Sequence, residues 1–256
     1  MAKVKVLVVR APGANCDAET AFAFQQAGAA ASLVHINRLI HGEERLADYQ
    51  IMVIPGGFTY GDDVAAGKVL ANELKLKLGD DVRRFVEEGM LVMGICNGFQ
   101  ALVKAGFLPE LSAETMPQVT LATNDSGKFE CRWVYLGVNR QSPCVFTRDM
   151  DSLYLPVAHG EGKLVALPGA LLYANVVLYY TDERGNSNVG YPHNPNGSSG
   201  NVAGICDSSG RIFGLMPHPE RHIRGTQHPR WTRLSPREHG DGFQVFRNAV
   251  EWIERL

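Results

Sequence analysis

Four short apolar runs recur along the chain, each halted by a turn former or a cysteine. They are Lys3–Arg10 before Ala11-Pro12-Gly13, Ile51–Ile54 before Pro55-Gly56-Gly57, Leu91–Ile95 before Cys96, and Ile212–Met216 before Pro217. Runs so short and so continuously apolar are strands buried on both faces, the usual state of strands inside a parallel sheet. Parallel neighbours require long crossovers, normally helical. Helical segments fall where those crossovers belong: Asp17–Ala29, with Asn15 or Asp17 as its cap, then Val64–Leu78, Asp80–Glu88 and Phe99–Ala105. Ser32–Ile36 adds another strand. Strand–helix alternation of this kind implies an α/β fold with a mostly parallel central sheet flanked by helices.

The middle third is richer in short β segments: Leu121–Ala122, Cys131–Val138, Leu153–Ala158, Leu171–Tyr180 and Val202–Ile205. From Asp241 onward, Phe243, Phe246, Val250 and Ile253 recur at helical spacing and imply a closing amphipathic helix. No composition break marks a linker, so residues 1–256 read as one domain. Pro/Gly/Asn-rich Tyr191–Gly200 and Gly225–Gly240 read as long surface loops, a class that is commonly functional or mobile.

Composition narrows the function classes. With 45% hydrophobic residues and 20% charged, the chain is an ordinary globular one. A formal net charge of −2 gives no electrostatic case for nucleic acid or an anionic membrane. The apolar start is too short to span a bilayer and lacks a small-residue cleavage site. Five cysteines without paired short spacings suggest neither a disulfide framework nor a CxxC zinc site. The expectation is a cytoplasmic protein.

Three segments carry candidate chemistry, and all follow a parallel strand, where open α/β sheets bind ligands. Gly94-Ile95-Cys96-Asn97-Gly98 is a thiol version of the G-x-S-x-G elbow, in which small flanking residues permit a sharp turn that exposes the nucleophile. The helix start behind it favours thiolate. Cys16 also sits near a helix start but lacks the glycine bracket, and stands as a rival nucleophile; a buried structural cysteine is the bland reading of Cys96. In Met216-Pro217-His218-Pro219-Glu220-Arg221 the prolines keep the backbone extended, so Glu220 can accept from His218 Nδ1 and leave Nε2 as base. A surface histidine beside an acid is the alternative. Zinc between His218 and His222 is disfavoured because Pro219 opposes the helix that would join them. Pro55-Gly56-Gly57-Phe58 is either a tight turn or a place where backbone N–H groups approach a developing oxyanion.

These residues resemble the class I (triad) glutamine amidotransferases, whose fold is flavodoxin-like. Within that family, six stretches resemble the glutaminase subunits of phosphoribosylformylglycinamidine synthase. They are Pro12–Asp17, Gly56–Asp62, Gly94–Gln100, Ala158–Gly162, Asn194–Ser198 and Met216–Arg221. The resemblance implies Cys96 as nucleophile, His218 as base and then acid, Glu220 as orienting carboxylate, and the N–H groups of Gly57 and Asn97 as oxyanion hole. It implies L-glutamine as substrate and a PurL-like synthetase partner that uses ATP and magnesium, with a PurS-like small subunit as a further candidate. No metal or cofactor on this chain is implied. Phe58, Gln100, His159, Glu161, Asn194, Asn196 and Ser198 are candidates for substrate contact or partner coupling, against an ordinary-turn reading of the same loops. Asp63-Val64-Ala65-Ala66 and the long Gly225–Gly240 depart from the family pattern and leave partner contacts open. The chain lacks a Walker A loop, so the ATP step is not expected here. Alternatives are a glutaminase for another ammonia-channelling synthetase, a silent DJ-1-like protein and a cysteine-containing α/β-hydrolase.

Overall fold

The four apolar runs become neighbouring strands of one sheet. A computed structural model describes residues 3–110, 118–170 and 175–256. It contains β1 (Lys5–Arg10), β2 (Ala30–His35), β3 (Ile51–Ile54), β4 (Leu91–Ile95), β5 (Val119–Ala122) and β6 (Glu130–Val138). The later strands are β7 (Ser152–His159), β8 (Lys163–Ala166), β9 (Asn175–Thr181), β10 (Val202–Cys206) and β11 (Ile212–Leu215). The large sheet runs β2-β1-β3-β4-β11-β10-β9-β6-β7, and β5 pairs with β8 separately. The block from β2 to β11 is parallel, with Val53 opposite Met93 and Gly94 opposite Gly214. Beyond β11 the strands alternate in direction and form an antiparallel wing.

The helices are α1 (Asp17–Gln26), α2 (Ile36–Ile40), α3 (Lys68–Lys77), α4 (Gly79–Glu87), α5 (Asn97–Ala105) and α6 (Phe243–Ile253). β3 and β4 are buried at every position, which is what the continuous apolar runs required. Fully buried side chains such as Phe24, Phe99, Phe213 and Phe246 each contribute about 1.5–3 kcal/mol by leaving water. Phe24 of α1 meets Phe246 of α6 edge-to-face with centroids 4.9 Å apart, so the closing helix packs against the first crossover.

Several boundaries differ from expectation for local reasons. The helix expected from Val64 starts at Lys68, because Tyr60, Asp62, Val64 and Gly67 all have positive φ and interrupt helical geometry. α5 starts at Asn97, two residues before the expected Phe99. Neither Asn15 nor Asp17 caps α1. Cys16 occupies the N-cap without a side-chain cap bond, while Asp17 pairs with Arg10 at 2.7 Å and Asn15 Oδ1 accepts from the Cys16 thiol. The second strand begins at Ala30, and α2 and β8 were not anticipated. The first four residues of the expected strand Leu171–Tyr180 lie outside the described residues; its remainder is β9. Gly225–Gly240 is a loop with two single-turn 3-10 segments whose ends meet through a bridge between Arg224 and His239.

Candidate active site

β1, β3, β4 and β11 end side by side, so the turns that follow them converge at one carboxyl edge. At the end of β4, Cys96 adopts φ 51° and ψ −103°, a strained conformation for a residue with a Cβ. Steric constraint enforces the turn. A Cβ on Gly98 would lie 1.9 Å from the Ile54 carbonyl oxygen, and one on Gly94 would lie 2.6 Å from Leu102 Cδ1. The glycine bracket therefore lets α5 rise directly off β4 and hold Cys96 at its N-terminus. Cys96 is 5% exposed, and its Sγ lies 3.7 Å from the Ala158 carbonyl oxygen.

His218 follows β11, and its backbone N–H donates to the Pro156 carbonyl at 2.8 Å. Its Nδ1 lies 2.6 Å from Glu220 Oε1, with both side chains buried. Among the described residues, His218 Nε2 and Glu220 Oε2 have no hydrogen-bond partner. Burial alone would lower the imidazole pKa. The Glu220 carboxylate and the thiols of Cys96 and Cys16 outweigh it and hold His218 well above the usual histidine value. Nδ1 is thus engaged by the acid, and Nε2 is the nitrogen left for proton transfer.

Both candidate cysteines lie close to this histidine. Cys16 Sγ, a nitrogen of His218 and a carboxylate oxygen of Glu220 lie within 4.8 Å of one another, a donor set that could hold a metal ion. The short His218–Glu220 contact instead engages these groups as a hydrogen-bonded pair. Cys16 is fully buried, and burial pushes its thiol pKa up. His222 turns away from His218, its Nδ1 lying 2.8 Å from the Tyr154 carbonyl oxygen.

Gly57, at φ 150°, sits against the turn after β1, where a Cβ would lie 2.6 Å from the Gly13 carbonyl oxygen. Among the described residues its N–H has no backbone acceptor, whereas Phe58 N–H donates to Gly13 O. Asn97, first in α5, likewise has an N–H without an intrahelical acceptor. Its side chain fixes the two turns together: Oδ1 accepts from Thr59 N–H and Oγ1 at 3.2 and 2.6 Å, and Nδ2 donates to Asp62 Oδ1 and Gln100 Oε1.

The remaining candidates fall into two groups. Gln100 Nε2 donates to the Glu161 carbonyl, Glu161 Oε2 accepts from Ala66 N–H at 3.4 Å, and Lys104 Nζ reaches Ala66 O at 2.5 Å. Burial raises the Asp62 pKa and lowers that of Lys104 in this cluster. In the second group, His159 Nδ1 meets Asn124 Oδ1 at 3.1 Å, and Asn196 Nδ2 donates to Gly162 O and Tyr180 Oη. Ser198 Oγ accepts from Leu164 N–H, and Asn194 Oδ1 accepts from Gly197 and Ser198 N–H. Burial, reinforced by the charge of His218, pushes His159 down to about 4. Phe58 stands apart from both groups, half-exposed, with its ring 6.4 Å from that of Phe129. Sequence reasoning missed Thr59, Asp62, Lys104, Asn124 and Tyr180, which act through contacts with residues distant in sequence and leave no local pattern.

Residues 3–253 match the family model described as a CobB/CobQ-like glutamine amidotransferase domain. The chain is 56% identical over all of both sequences to the phosphoribosylformylglycinamidine synthase subunit PurQ of Dehalococcoides mccartyi. It is 42% identical to the subunit of that name from Methanococcus maripaludis, with 98% of each chain covered. A chain in the structure of PurLQS from Thermotoga maritima superposes with a TM-score of 0.75 at 33% identity, covering 98% of this chain and 100% of that one.

Proposed function

The chain belongs to the CobB/CobQ-like glutamine amidotransferase family, and from that premise we infer that it is the glutaminase subunit of phosphoribosylformylglycinamidine synthase. It hydrolyses L-glutamine to glutamate and supplies ammonia to a PurL-type synthetase subunit, in an assembly with a PurS-type subunit. The synthetase uses ATP and magnesium to convert formylglycinamide ribonucleotide to the formylglycinamidine. The reading takes the chain as a single amidotransferase domain, supported by a sheet that draws strands from Lys5 to Leu215. Among the described residues no helix is long and apolar enough to cross a membrane.

In the proposed mechanism, His218 Nε2 takes the Cys96 thiol proton and Sγ attacks the side-chain amide carbon of glutamine. The oxyanion that develops is met by the N–H groups of Gly57 and Asn97, each worth about 2.7–4 kcal/mol where such donors have been removed. The carbon–nitrogen bond breaks as the imidazolium returns its proton to the departing nitrogen, and ammonia leaves. Water then attacks the γ-glutamyl thioester, with His218 as base, releasing glutamate and the thiol. Glu220 holds the ring in the required tautomer and stabilises the imidazolium. Gln100 and Glu161 tie the elbow helix to the loop after β7. His159, Asn194, Asn196 and Ser198 extend that tie through buried hydrogen bonds to the loop at 194–198, and Phe58 offers an exposed ring beside the oxyanion turn.

The reading is carried by the buried, hydrogen-bonded His218–Glu220 pair at the carboxyl edge of the strand next to the one that bears the strained Cys96 elbow. A DJ-1-like protein does not share that pair, and an α/β-hydrolase usually draws its acid from well before the histidine. Treatment with a glutamine-mimicking diazoketone followed by peptide mapping is the test. Label on the peptide bearing Cys96 is the expected result; label on Cys16 alone overturns the assignment.

A further inference from the structure

Cys16 is left over by the mechanism above, yet it lies against the mechanism's base. A Cβ built on Gly56 would lie 2.8 Å from His218 Cε1, 3.4 Å from His218 Nδ1 and 3.2 Å from Cys16 Sγ. The Cys16 thiol and the Cε1–Nδ1 side of the ring thus border the same small space beside Gly56, and Cys16 Sγ, a ring nitrogen of His218 and a Glu220 oxygen lie within 4.8 Å of one another. The thiol is itself held from both sides. It donates to Asn15 Oδ1 at 3.3 Å and accepts from Arg221 Nη2 at 3.1 Å, while Arg221 Nε is fixed by Glu19 Oε1 at 3.0 Å. The Cys16 N–H donates to Gly56 O, which fastens the start of α1 to the oxyanion turn.

We propose that Cys16, anchored by Arg221 and Glu19, is a positioning residue for the His218–Glu220 pair: it forms the rear wall that sets where His218 Nε2 stands toward Cys96. The proposal rests on the Cys96–His218–Glu220 reading above. Its geometry explains why a second cysteine sits by the base without acting as nucleophile. Cys16 is fully buried and has an ordinary negative φ at the N-cap, without the strained turn on which Cys96 stands. Removing its thiol takes away one of the groups that border the ring beside Gly56, and a displacement of about 1 Å in a reacting group can cost about 100-fold in rate.

The groups that act on His218 are Glu220 from its own segment, Cys96 from the elbow, Cys16 from the start of α1 and His159 from the end of β7, with Arg221 one contact further out against Cys16. Of these, Cys16 is among the interactions that raise the imidazole pKa. Its removal shifts the loss of the imidazolium proton to lower pH.

The test uses the intact complex with the synthetase subunits and compares wild type with Cys16→Ala, Cys16→Ser and Arg221→Met. Cys16→Ala is expected to lower kcat for glutamine about 10- to 100-fold. KM for glutamine and ammonia-dependent synthesis should stay unchanged, and the alkaline limb of the kcat/KM profile should move to lower pH. Cys16→Ser, which retains a small acceptor for Arg221, should recover most of the loss. Arg221→Met, at a side chain one-third exposed, should reproduce part of it even if Cys16→Ala fails to fold. Wild-type kcat and an unmoved alkaline limb in Arg221→Met, and in Cys16→Ala where it folds, overturn the proposal. A kcat loss that serine does not recover also overturns it. Diazoketone labelling is read in parallel: label retained on Cys96 keeps the triad reading intact, whereas label transferred to Cys16 in wild type defeats that reading itself.

Discussion

At the carboxyl edge of β3 and β4 the chain is held by direct contact; in the loops at 159–162 and 194–198 it is held by hydrogen bonds. Gly98 packs against Ile54 O and Gly57 against Gly13 O so closely that no side chain fits. In the loops, Asn124, His159, Asn194, Asn196 and Ser198 are buried polar residues that satisfy one another and the backbone. Steric contact fixes one geometry and tolerates no increment of volume. A hydrogen-bond network with two discrete arrangements can carry coupling between sites. The proposed nucleophile, which needs one geometry, is built by the first means. The segments proposed to sense a partner are built by the second.

The largest expected effect breaks the chemistry and leaves both regions folded. Cys96→Ala should reduce glutamine-dependent synthesis by on the order of 10⁴-fold or more. Ammonia-dependent synthesis by the complex should persist, and equal loss of both rates would count against the assigned role. Next is the contact-held region itself. Gly98→Ala places a methyl 1.9 Å from Ile54 O and should destabilise the fold by about 3 kcal/mol or more, read as a lowered Tm. A variant as stable as wild type would show that the elbow is not fixed by sterics.

The polar region should instead reveal itself through pH. His159 is held at about 4, below its unfolded value of about 6.5, so the unfolded chain binds the extra proton between these limits. Stability should therefore fall as pH drops through that window, by about 3 kcal/mol, in urea unfolding. His218 is protonated in both states there, because its folded pKa is raised; its own contribution is complete below about 6.5 and fades as pH rises through the raised value. A slope equal in wild type and His159→Gln would remove His159 as its source. The smallest effect belongs to Asn196→Ala, which strips bonds to Gly162 and Tyr180 at a cost of about 1–3 kcal/mol. It should lower glutamine-dependent synthesis in the complex more than it lowers labelling of Cys96. Parallel losses would mean that the loops support the active site without coupling it to the partner.

Legibility in the sequence followed the same division. Cys96 between Gly94 and Gly98 and the strand before it carry local signatures, because a strained turn and a buried strand restrict the residues that can form them. The His218-Pro219-Glu220 run was legible too, but Pro219–Arg221 forms a single 3-10 turn rather than the extended segment expected, since proline at the first position of such a turn is as well suited to it. The polar loops were legible only as candidates. Asn and Gly favour turns whatever they bind, and nothing near Asn196 in sequence points to Tyr180 or Gly162. The late start of α3 was hidden for another reason: Asp63–Ala66 has helix-compatible composition, and the interruption lies in positive φ at Tyr60, Asp62 and Val64.

The sequence by itself determined the alternation of buried strands and helices around the parallel block, the thiol elbow and the pairing of His218 with Glu220, since burial period, glycine and proline act within a few residues. Only the tertiary structure decided that both cysteines stand near His218, Cys96 on a strained turn and Cys16 on an ordinary helix N-cap. It also decided which distant loops satisfy one another's buried polar groups. Those choices depend on the direction in which side chains approach after the sheet has closed, and a linear spacing does not contain that direction.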